Sequence, residues 1–150
     1  DNLYLACRGV SQNRFALRRP GPSDARRAMA QTLCELVHLH DVRDADVSTL
    51  SYGQQRPLEI GLALAGAPRF ILFDEPAAGL SPTERVELSE ILQALPSHIG
   101  YIIIEHDMDV ALRVADTVTM MHNGRIFKEG TPEEIESDPE VQALYLGGGH

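Results

Sequence analysis

Apolar residues at helical spacing dominate the first half of the chain. Ser23 is placed to cap a helix that runs to about His38, with apolar positions that keep the 3.6-residue period. These positions are Met29, Leu33, Leu36 and Val37. A second helix is predicted from near Ser51, because Ser-Tyr-Gly-Gln has the S-x-x-Q form of a capping box and the helix-forming run Leu58–Ala65 follows. Before the Arg-Arg-Pro-Gly-Pro loop, the first 17 residues show no clear pattern.

Two continuous apolar runs in the second half predict parallel strands. Phe70–Phe73 leads into Asp74, Glu75 and Pro76, and Tyr101–Ile104 leads into Glu-His-Asp. Apolar runs without alternation are typical of strands that are buried on both faces of a sheet. We therefore expect both strands to lie inside the fold.

Caps and turns indicate the remaining elements. Ser81 is followed directly by Pro and, three residues after the serine, by Glu. This pattern predicts the start of a helix with one apolar stripe. The stripe consists of Leu88, Ile91, Leu92 and Leu95. A short helix is expected over Val110–Ala115, and Asn123-Gly124 favours a hairpin between Val118–Met121 and Arg125–Phe127. Two further helix starts are Thr131-Pro132 and Asp138-Pro139.

The alternation of strands and helices predicts an α/β fold in two parts. Residues 1–67 form a helical subdomain with an N-terminal connector, and residues 68–150 form the α/β part. The net charge of −9 disfavours a nucleic-acid-binding protein. No apolar run approaches the ~18 residues of a membrane span, and no signal peptide is recognisable. A start at Asp1 rather than Met suggests a fragment or a processed chain.

The two cysteines, Cys7 and Cys34, are too few for a disulfide framework and have no metal-ligand spacing. We expect both to be free thiols in a reducing compartment. The histidines other than His106 also lack metal-ligand spacing, and we expect them to be solvated. They are His38, His40, His98, His122 and His150.

The capped start of the second helix is a candidate phosphate site. The Ser51 hydroxyl, the backbone N–H groups around Gly53 and the positive end of the helix dipole all favour an anion. An ordinary helix cap is the alternative explanation of this segment taken alone.

Two adjacent carboxylates at the end of an apolar strand, Asp74 and Glu75, are the candidate catalytic groups. They are costly to bury without a cation or proton, and neighbouring strand residues point to opposite sides, so each carboxylate can have its own role. The alternative is an acidic turn before Pro76. His106 follows the second apolar strand and is a further candidate, although a lone histidine is usually structural.

Four segments in this order and spacing resemble the motifs of ABC transporter ATPases. They are Leu50–Gln54, Phe70–Pro76, Ala78–Ser81 and Ile104–Asp107, which match the signature motif, the Walker B strand, the D-loop and the H-loop. The resemblance implies a P-loop NTPase core with a helical signature subdomain, with ATP and Mg²⁺ as cofactors.

The resemblance also implies a role for each site residue. Ser51, Tyr52, Gly53 and Gln54 contact the γ-phosphate of ATP held by a partner subunit. Asp74 orders the water shell of Mg²⁺, Glu75 polarises the attacking water, and His106 contacts the γ-phosphate. Ser81 stands where many members have aspartate, and we expect it to serve chiefly as a helix cap.

The 150 residues contain no G-x-x-x-x-G-K-[ST] phosphate loop, and Lys128 is the only lysine. We therefore expect ATPase activity in the complete subunit and none in this chain alone. In the family a P-loop strand and helix cover one side of the Phe70–Asp74 strand, so we expect that side to be an exposed edge here. Two departures lie in the signature helix: Pro57 costs ~3 kcal/mol unless it falls in the first turn, and Gly61 costs ~1 kcal/mol.

The chain looks like one ATPase subunit type of branched-chain amino-acid importers at Tyr52, Leu58–Ile60, Asp74–Leu80, Ile104–Met108 and Glu129–Ile135. The ending Asp138–Gly147 resembles the tail of that type. The resemblance implies a head-to-tail dimer with a second ATPase subunit, transmembrane permease subunits, and a periplasmic solute-binding protein as an indirect partner. The subunit would be peripheral, at the cytoplasmic face of the inner membrane. Alternatives are a urea or amide importer ATPase, a non-catalytic partner that lends only its signature motif, and a soluble ABC ATPase of nucleic-acid repair or translation.

Overall fold

The computed structural model describes residues 1–9 and 25–146 as helices around two small sheets. The helices are α1 (Asn2–Gly9), α2 (Ala25–Leu36), α3 (Tyr52–Ala65), α4 (Pro82–Gln93), α5 (Met108–Val114), α6 (Pro132–Ser137) and α7 (Pro139–Leu146). The strands are β1 (Phe70–Asp74), β2 (Gly100–Ile104), β3 (Val118–His122) and β4 (Arg125–Gly130), and short 3-10 turns cover His40–Val42 and Val47–Thr49. The mixed helix and strand content confirms the α/β class. Within the described ranges, no helix is long and apolar enough to cross a membrane.

The helical part packs α1, α2 and α3 against one another. Helix α1 was not predicted, because its buried face rests on only two residues, Leu3 and Cys7. Gly61 lies at the contact: a Cβ added there would be 3.0 Å from the Leu3 side chain. The absence of a side chain at Gly61 thus allows the close approach of α3 to α1.

Helix α2 keeps most of its predicted apolar stripe. Leu33 and Val37 are buried, whereas Met29 is 43 % exposed, so the apolar spacing extends beyond the buried face of the helix. The helix ends at Leu36 rather than near His38, because His38 has a positive φ of 55°. The predicted cap, Ser23, and the loop before it lie outside the described residues.

Helix α3 begins at Tyr52, directly after its predicted cap. Pro57 is therefore beyond the first turn, and the helix runs through it without a hydrogen bond to the carbonyl of Gly53. The possibility that the helix starts at Gln54 and spares this cost is wrong.

Both cysteines are free and buried, and burial raises the pKa of each thiol.

Strands β1 and β2 form a two-stranded parallel sheet with Leu72 opposite Ile102. One face is in the core through Ile71 and Phe73, whereas the other exposes 71 % of Leu72 and 52 % of Ile102. Burial on both faces, as the apolar runs predict, is wrong for this chain, since no further element of the described residues covers the second face. The exposed edge expected from the resemblance is confirmed, because within the described residues β1 pairs only with β2, and the second face is a further exposed surface. We call this surface, formed by Phe70, Leu72, Ile102 and Ile104, the open face.

The predicted stripe of α4 is confirmed in the main core. Leu88, Ile91, Leu92 and Leu95 are all buried, in one cluster with Ile71 and Phe73 of β1. Capping boxes start α4 at Ser81 and α6 at Thr131, as predicted.

The β3–β4 hairpin is antiparallel and turns at Asn123-Gly124, as predicted. Both residues have positive φ, 50° and 74°, which a tight hairpin turn of this type requires. A second, smaller core joins the hairpin to the last helices through Met120, Ile135 and Val141.

Candidate active site

The N-terminus of α3 has a capping box formed by Ser51 and Gln54. Ser51 Oγ accepts a hydrogen bond from the Gln54 N–H at 3.2 Å, and the Ser51 N–H donates to Gln54 Oε1 at 3.0 Å. Because the hydroxyl oxygen accepts, its hydrogen is left to donate. The cap and the candidate anion site therefore coexist at Ser51 rather than exclude each other.

Tyr52 points along the surface to the loop after β1. A Cβ added to Gly79 would lie 3.1 Å from the Tyr52 ring, and Gly79 has a positive φ of 76°. Arg56 donates to the Tyr52 hydroxyl at 2.6 Å and pairs with Glu59 at 2.9 Å. Arg56 thus holds the Tyr52 ring, and the ring brings α3 into contact with the loop that follows β1.

Gly53 faces a carboxylate of the next helix. A Cβ built on Gly53 would lie 1.8 Å from Glu84 Oε1, so only glycine fits beside this side chain as it is placed. Glu84 also accepts from the Ser81 N–H at 2.8 Å, and its hydrogen bonds to Ser81 lower its pKa. A negative charge therefore lies beside the predicted phosphate site. The sequence indicated Glu84 only as a capping residue.

Asp74 is the last residue of β1, and Glu75 begins the following turn. Asp74 is exposed, and none of the described residues hydrogen-bonds its carboxylate. Free carboxylate oxygens are ligands that suit Mg²⁺ and its bound waters. The residue therefore fits the predicted magnesium role.

Glu75 does not continue the strand. It has a left-handed φ of 46°, its N–H donates to the Ile104 carbonyl at 2.8 Å, and its own carbonyl accepts from Ala78. The prediction that Asp74 and Glu75 diverge by strand alternation is wrong in its cause, because this turn sets the direction of Glu75.

His106 meets Glu75 across the ends of the two parallel strands. His106 Nδ1 lies 3.5 Å from Glu75 Oε1, and the side chains are 73 % and 51 % exposed. The distance allows an ion pair when the imidazole is protonated, and the exposure leaves room for a water or a phosphate. Two residues from segments 31 positions apart are thus brought together.

The N-terminal turn of α4 lies between the two groups of candidate residues. Arg85 donates to the Leu80 carbonyl at 3.2 Å and pairs with Asp107, the cap of α5, at 2.5 Å. Glu84 contacts Gly53 on the other side. Within the described residues, no hydrogen bond or ion pair joins Ser51–Gln54 directly to Glu75 or His106.

The remaining histidines of the described ranges are exposed: His38, His40, His98 and His122. In the same part of the chain, His, Cys, Asp and Glu side chains form no cluster of three or more that could hold a metal ion directly. His150 lies outside the described residues.

Two family models match the sequence. Residues 5–78 match the model described as ABC transporter, and residues 129–150 match the model of branched-chain amino acid ATP-binding cassette transporters. The first match includes the signature helix and the Asp74-Glu75 pair, and the second covers the tail after β4.

Curated proteins extend this similarity along the chain. The lipopolysaccharide export system ATP-binding protein LptB of Acidithiobacillus ferridurans is 39 % identical over 84 % of this chain and 52 % of its own length. The high-affinity branched-chain amino acid transport ATP-binding protein BraF of Pseudomonas aeruginosa is 38 % identical over 75 % of this chain and 45 % of its own. The chain spans about half the length of the curated relatives it matches.

Solved structures share the fold. The ADP conformation of MJ1267, an ATP-binding cassette of an ABC transporter, matches 97 % of this chain and 62 % of its own chain, with a TM-score of 0.71 and 28 % identity. The similarity therefore includes the helical part, both sheets and the tail.

Proposed function

The chain belongs to the ABC transporter family of ATP-binding subunits, and we propose that it supplies the signature helix and the catalytic carboxylate of an ATPase that drives solute transport. One observation carries the proposal: His106 Nδ1 lies 3.5 Å from Glu75 Oε1 at the carboxyl ends of neighbouring parallel strands. Ligands bind at this edge of open α/β sheets.

Glu75 is the general base or water-orienting group of the proposed mechanism. Its exposed carboxylate accepts a hydrogen bond from the attacking water and aligns that water with the γ-phosphate. His106, beside it, donates to a γ-phosphate oxygen and keeps the water and the phosphate in one geometry. Asp74 holds waters of the metal shell, and bound Mg²⁺ would offset phosphate charge.

Ser51 and Gly53 serve a nucleotide held by a second subunit. The hydrogen of the Ser51 hydroxyl is available to a phosphate oxygen, since the oxygen is already engaged by Gln54. The side chain of Glu84 has to turn away from Gly53 before a phosphate can approach, because two negative charges repel each other in so small a space. Tyr52 and Gln54 complete the surface that faces this nucleotide.

The proposed assembly is a head-to-tail pair of ATPase subunits on transmembrane permease subunits, at the cytoplasmic face of the inner membrane. A periplasmic solute-binding protein is an indirect partner. The 150 residues contain no Walker A sequence, so this chain alone does not hydrolyse ATP under the proposal. Residues 1–67 form the helical subdomain and residues 68–150 the C-terminal part of the ATPase core.

The proposed solutes are branched-chain amino acids, supported by the match of residues 129–150 and by the similarity to BraF. A second candidate is the ATPase of an export system, which the 39 % identity to LptB favours. Import of urea or amides is a third possibility from the sequence resemblance. These candidates share the ATPase chemistry and differ in the membrane partner.

Equilibrium Mg-ATP binding tests the ATPase role. The purified chain and its Glu75→Gln variant, which suppresses turnover, are each titrated with Mg-ATP. Both titrations are then repeated in the presence of an added segment that carries a P-loop. We expect no binding alone and binding with the added segment, followed by hydrolysis only when Glu75 is present. Tight binding by the chain alone, or hydrolysis unchanged in Glu75→Gln, contradicts the proposal.

Uptake measurements in the source organism decide between the solutes. Disruption of the coding sequence should abolish uptake of radiolabelled leucine and leave the lipopolysaccharide of the outer membrane unchanged. Normal leucine uptake with a loss of surface lipopolysaccharide would favour the export system instead.

A further inference from the structure

Glu105 lies between the last residue of β2 and His106, and its carboxylate faces two loops at once. Oε1 accepts from the Ala77 N–H at 2.8 Å, in the turn that follows Glu75. Oε2 accepts from the N–H groups of His106 at 3.2 Å and Asp107 at 3.4 Å. One half-buried side chain therefore holds the backbone of both catalytic turns.

The contact to Ala77 restrains the turn that directs Glu75. Ala77 is only 2 % exposed, so its N–H has no ready access to water and depends on this acceptor. The same turn contains the left-handed φ of Glu75 and the Ala78–Glu75 hydrogen bond. Loss of the Glu105 acceptor would leave a buried donor unpaired and release the turn.

We propose that Glu105 is a positioning residue that couples the Glu75 turn to the His106 turn, an inference that rests on the proposed function of this pair. The backbone bond from Glu75 to Ile104 already aligns the strand ends. Glu105 adds a second link between the two turns, so that the Glu75 and His106 side chains keep their 3.5 Å separation.

Neighbouring acidic residues cannot replace this link. Both oxygens of Asp107 are engaged elsewhere, one by Arg85 and one by the Val110 N–H at the start of α5. A glutamine at position 105 would offer one accepting oxygen and one donating amide, so it could serve one turn but not both. An aspartate would keep the charge but, with one methylene fewer, could not reach both turns.

Amide hydrogen exchange and nuclear Overhauser contacts in the isotope-labelled chain test the coupling without nucleotide. In Glu105→Gln we expect exchange to rise roughly tenfold or more at one of the two turns, either at Ala77 or at His106 and Asp107, because the single remaining oxygen can accept from only one turn. We also expect the contact between the His106 ring and the Glu75 side chain to weaken. In Glu105→Asp the amides of His106 and Asp107 should stay protected while Ala77 is released.

Glu87→Gln is the matched control, since it removes the same charge from an exposed position of α4. The proposal is overturned if the amides of neither turn exchange faster in Glu105→Gln, if the His106–Glu75 contact is unchanged, or if Leu88 and Ile91 in the core exchange faster by the same factor. The second result would make Glu105 a general stabiliser. Should Glu105→Gln fail to fold, Glu105→Asp decides by the same criteria. Failure to bind ATP would remove the proposed function but leave these readouts intact.

Discussion

The first turns of α3 and α4 share one hydrogen-bonding pattern and differ in charge. In both, a serine caps the helix and the third helical residue returns a bond to the serine N–H: Gln54 to Ser51 at 3.0 Å, and Glu84 to Ser81 at 2.8 Å. The neutral amide of Gln54 adds no charge to the positive end of α3, whereas Glu84 brings a carboxylate into the first turn of α4. Satisfied hydrogen bonds and a neutralised dipole are therefore separate properties of a helix start.

Under the proposed function, this difference in charge gives the two caps different roles. Of the two caps, only the neutral one adds no negative charge that would repel an anion, and this is the cap of the proposed signature motif. The Glu84 carboxylate lies against Gly53 and brings a negative charge to this helix end. Under the proposed function, a phosphate takes the place of this carboxylate at the same helix end.

Gln54→Glu makes the α3 cap like that of α4, and it should have the largest effect. The added charge opposes a phosphate, so the ATP concentration needed to pair the chain with a P-loop-bearing subunit should rise roughly tenfold or more. Thermal stability should not fall, because glutamate is favourable at this helix position. Sedimentation at a series of ATP concentrations measures the effect. Pairing at the original ATP concentration would break the comparison.

Ser51→Ala and Ser81→Ala compare the two caps directly. Each variant should lower the free energy of unfolding by about 1 kcal/mol, because one helix N–H loses its acceptor. For a chain of this length, that corresponds to a fall in Tm of roughly 3 °C. Only Ser51→Ala should also weaken ATP-dependent pairing. Equal weakening by both serine variants would show that the α4 cap contributes to the anion site.

Glu84→Gln makes the α4 cap like that of α3, with a smaller and opposite consequence. We expect a small loss of stability, less than that of the serine variants, from the weaker dipole compensation of α4. We also expect ATP-dependent pairing at a lower ATP concentration, because the charge beside Gly53 is gone. Glu87→Gln, on the exposed surface of the same helix, is the control for net charge. A higher ATP requirement in Glu84→Gln alone would contradict a competing role of Glu84.

The pH dependence of stability gives the smallest effect. The pKa of Glu84 is lowered from 4.5 by its hydrogen bonds to Ser81, so its contribution is complete above pH 4.5 and is lost as the pH falls through the lowered value. Denaturant unfolding at pH 7 and at pH 3 should therefore show a smaller loss in Glu84→Gln than in the original chain. The Gln54 cap does not titrate. An identical loss in both proteins would exclude the linkage.

Local rules predicted the parts of the fold that rest on neighbouring residues. The caps at Ser51 and Ser81 and the Asn123-Gly124 turn follow from the hydrogen bonds and φ angles of a few adjacent residues. The family motifs likewise pointed to Glu75 and His106, and the structure brings those two together.

Features that depend on distant partners could not be predicted in this way. Glu105 reaches a backbone 28 positions away, and Glu84 approaches Gly53 from another helix. The apolar run of β1 indicated two buried faces because composition does not reveal which neighbours are present. The Leu72 side chain is accordingly exposed, whereas the apolar run predicted that it is buried.

The open face of β1 and β2 has a calorimetric consequence. Unfolding raises the heat capacity in proportion to the apolar surface that it newly exposes, and a chain of 150 residues ordinarily shows about 2 kcal/mol/K. Phe70, Leu72, Ile102 and Ile104 are already 52–71 % exposed in the folded state and add little to that change. The curve of stability against temperature should therefore be flatter than chain length alone implies, and cooling the chain should add little stability.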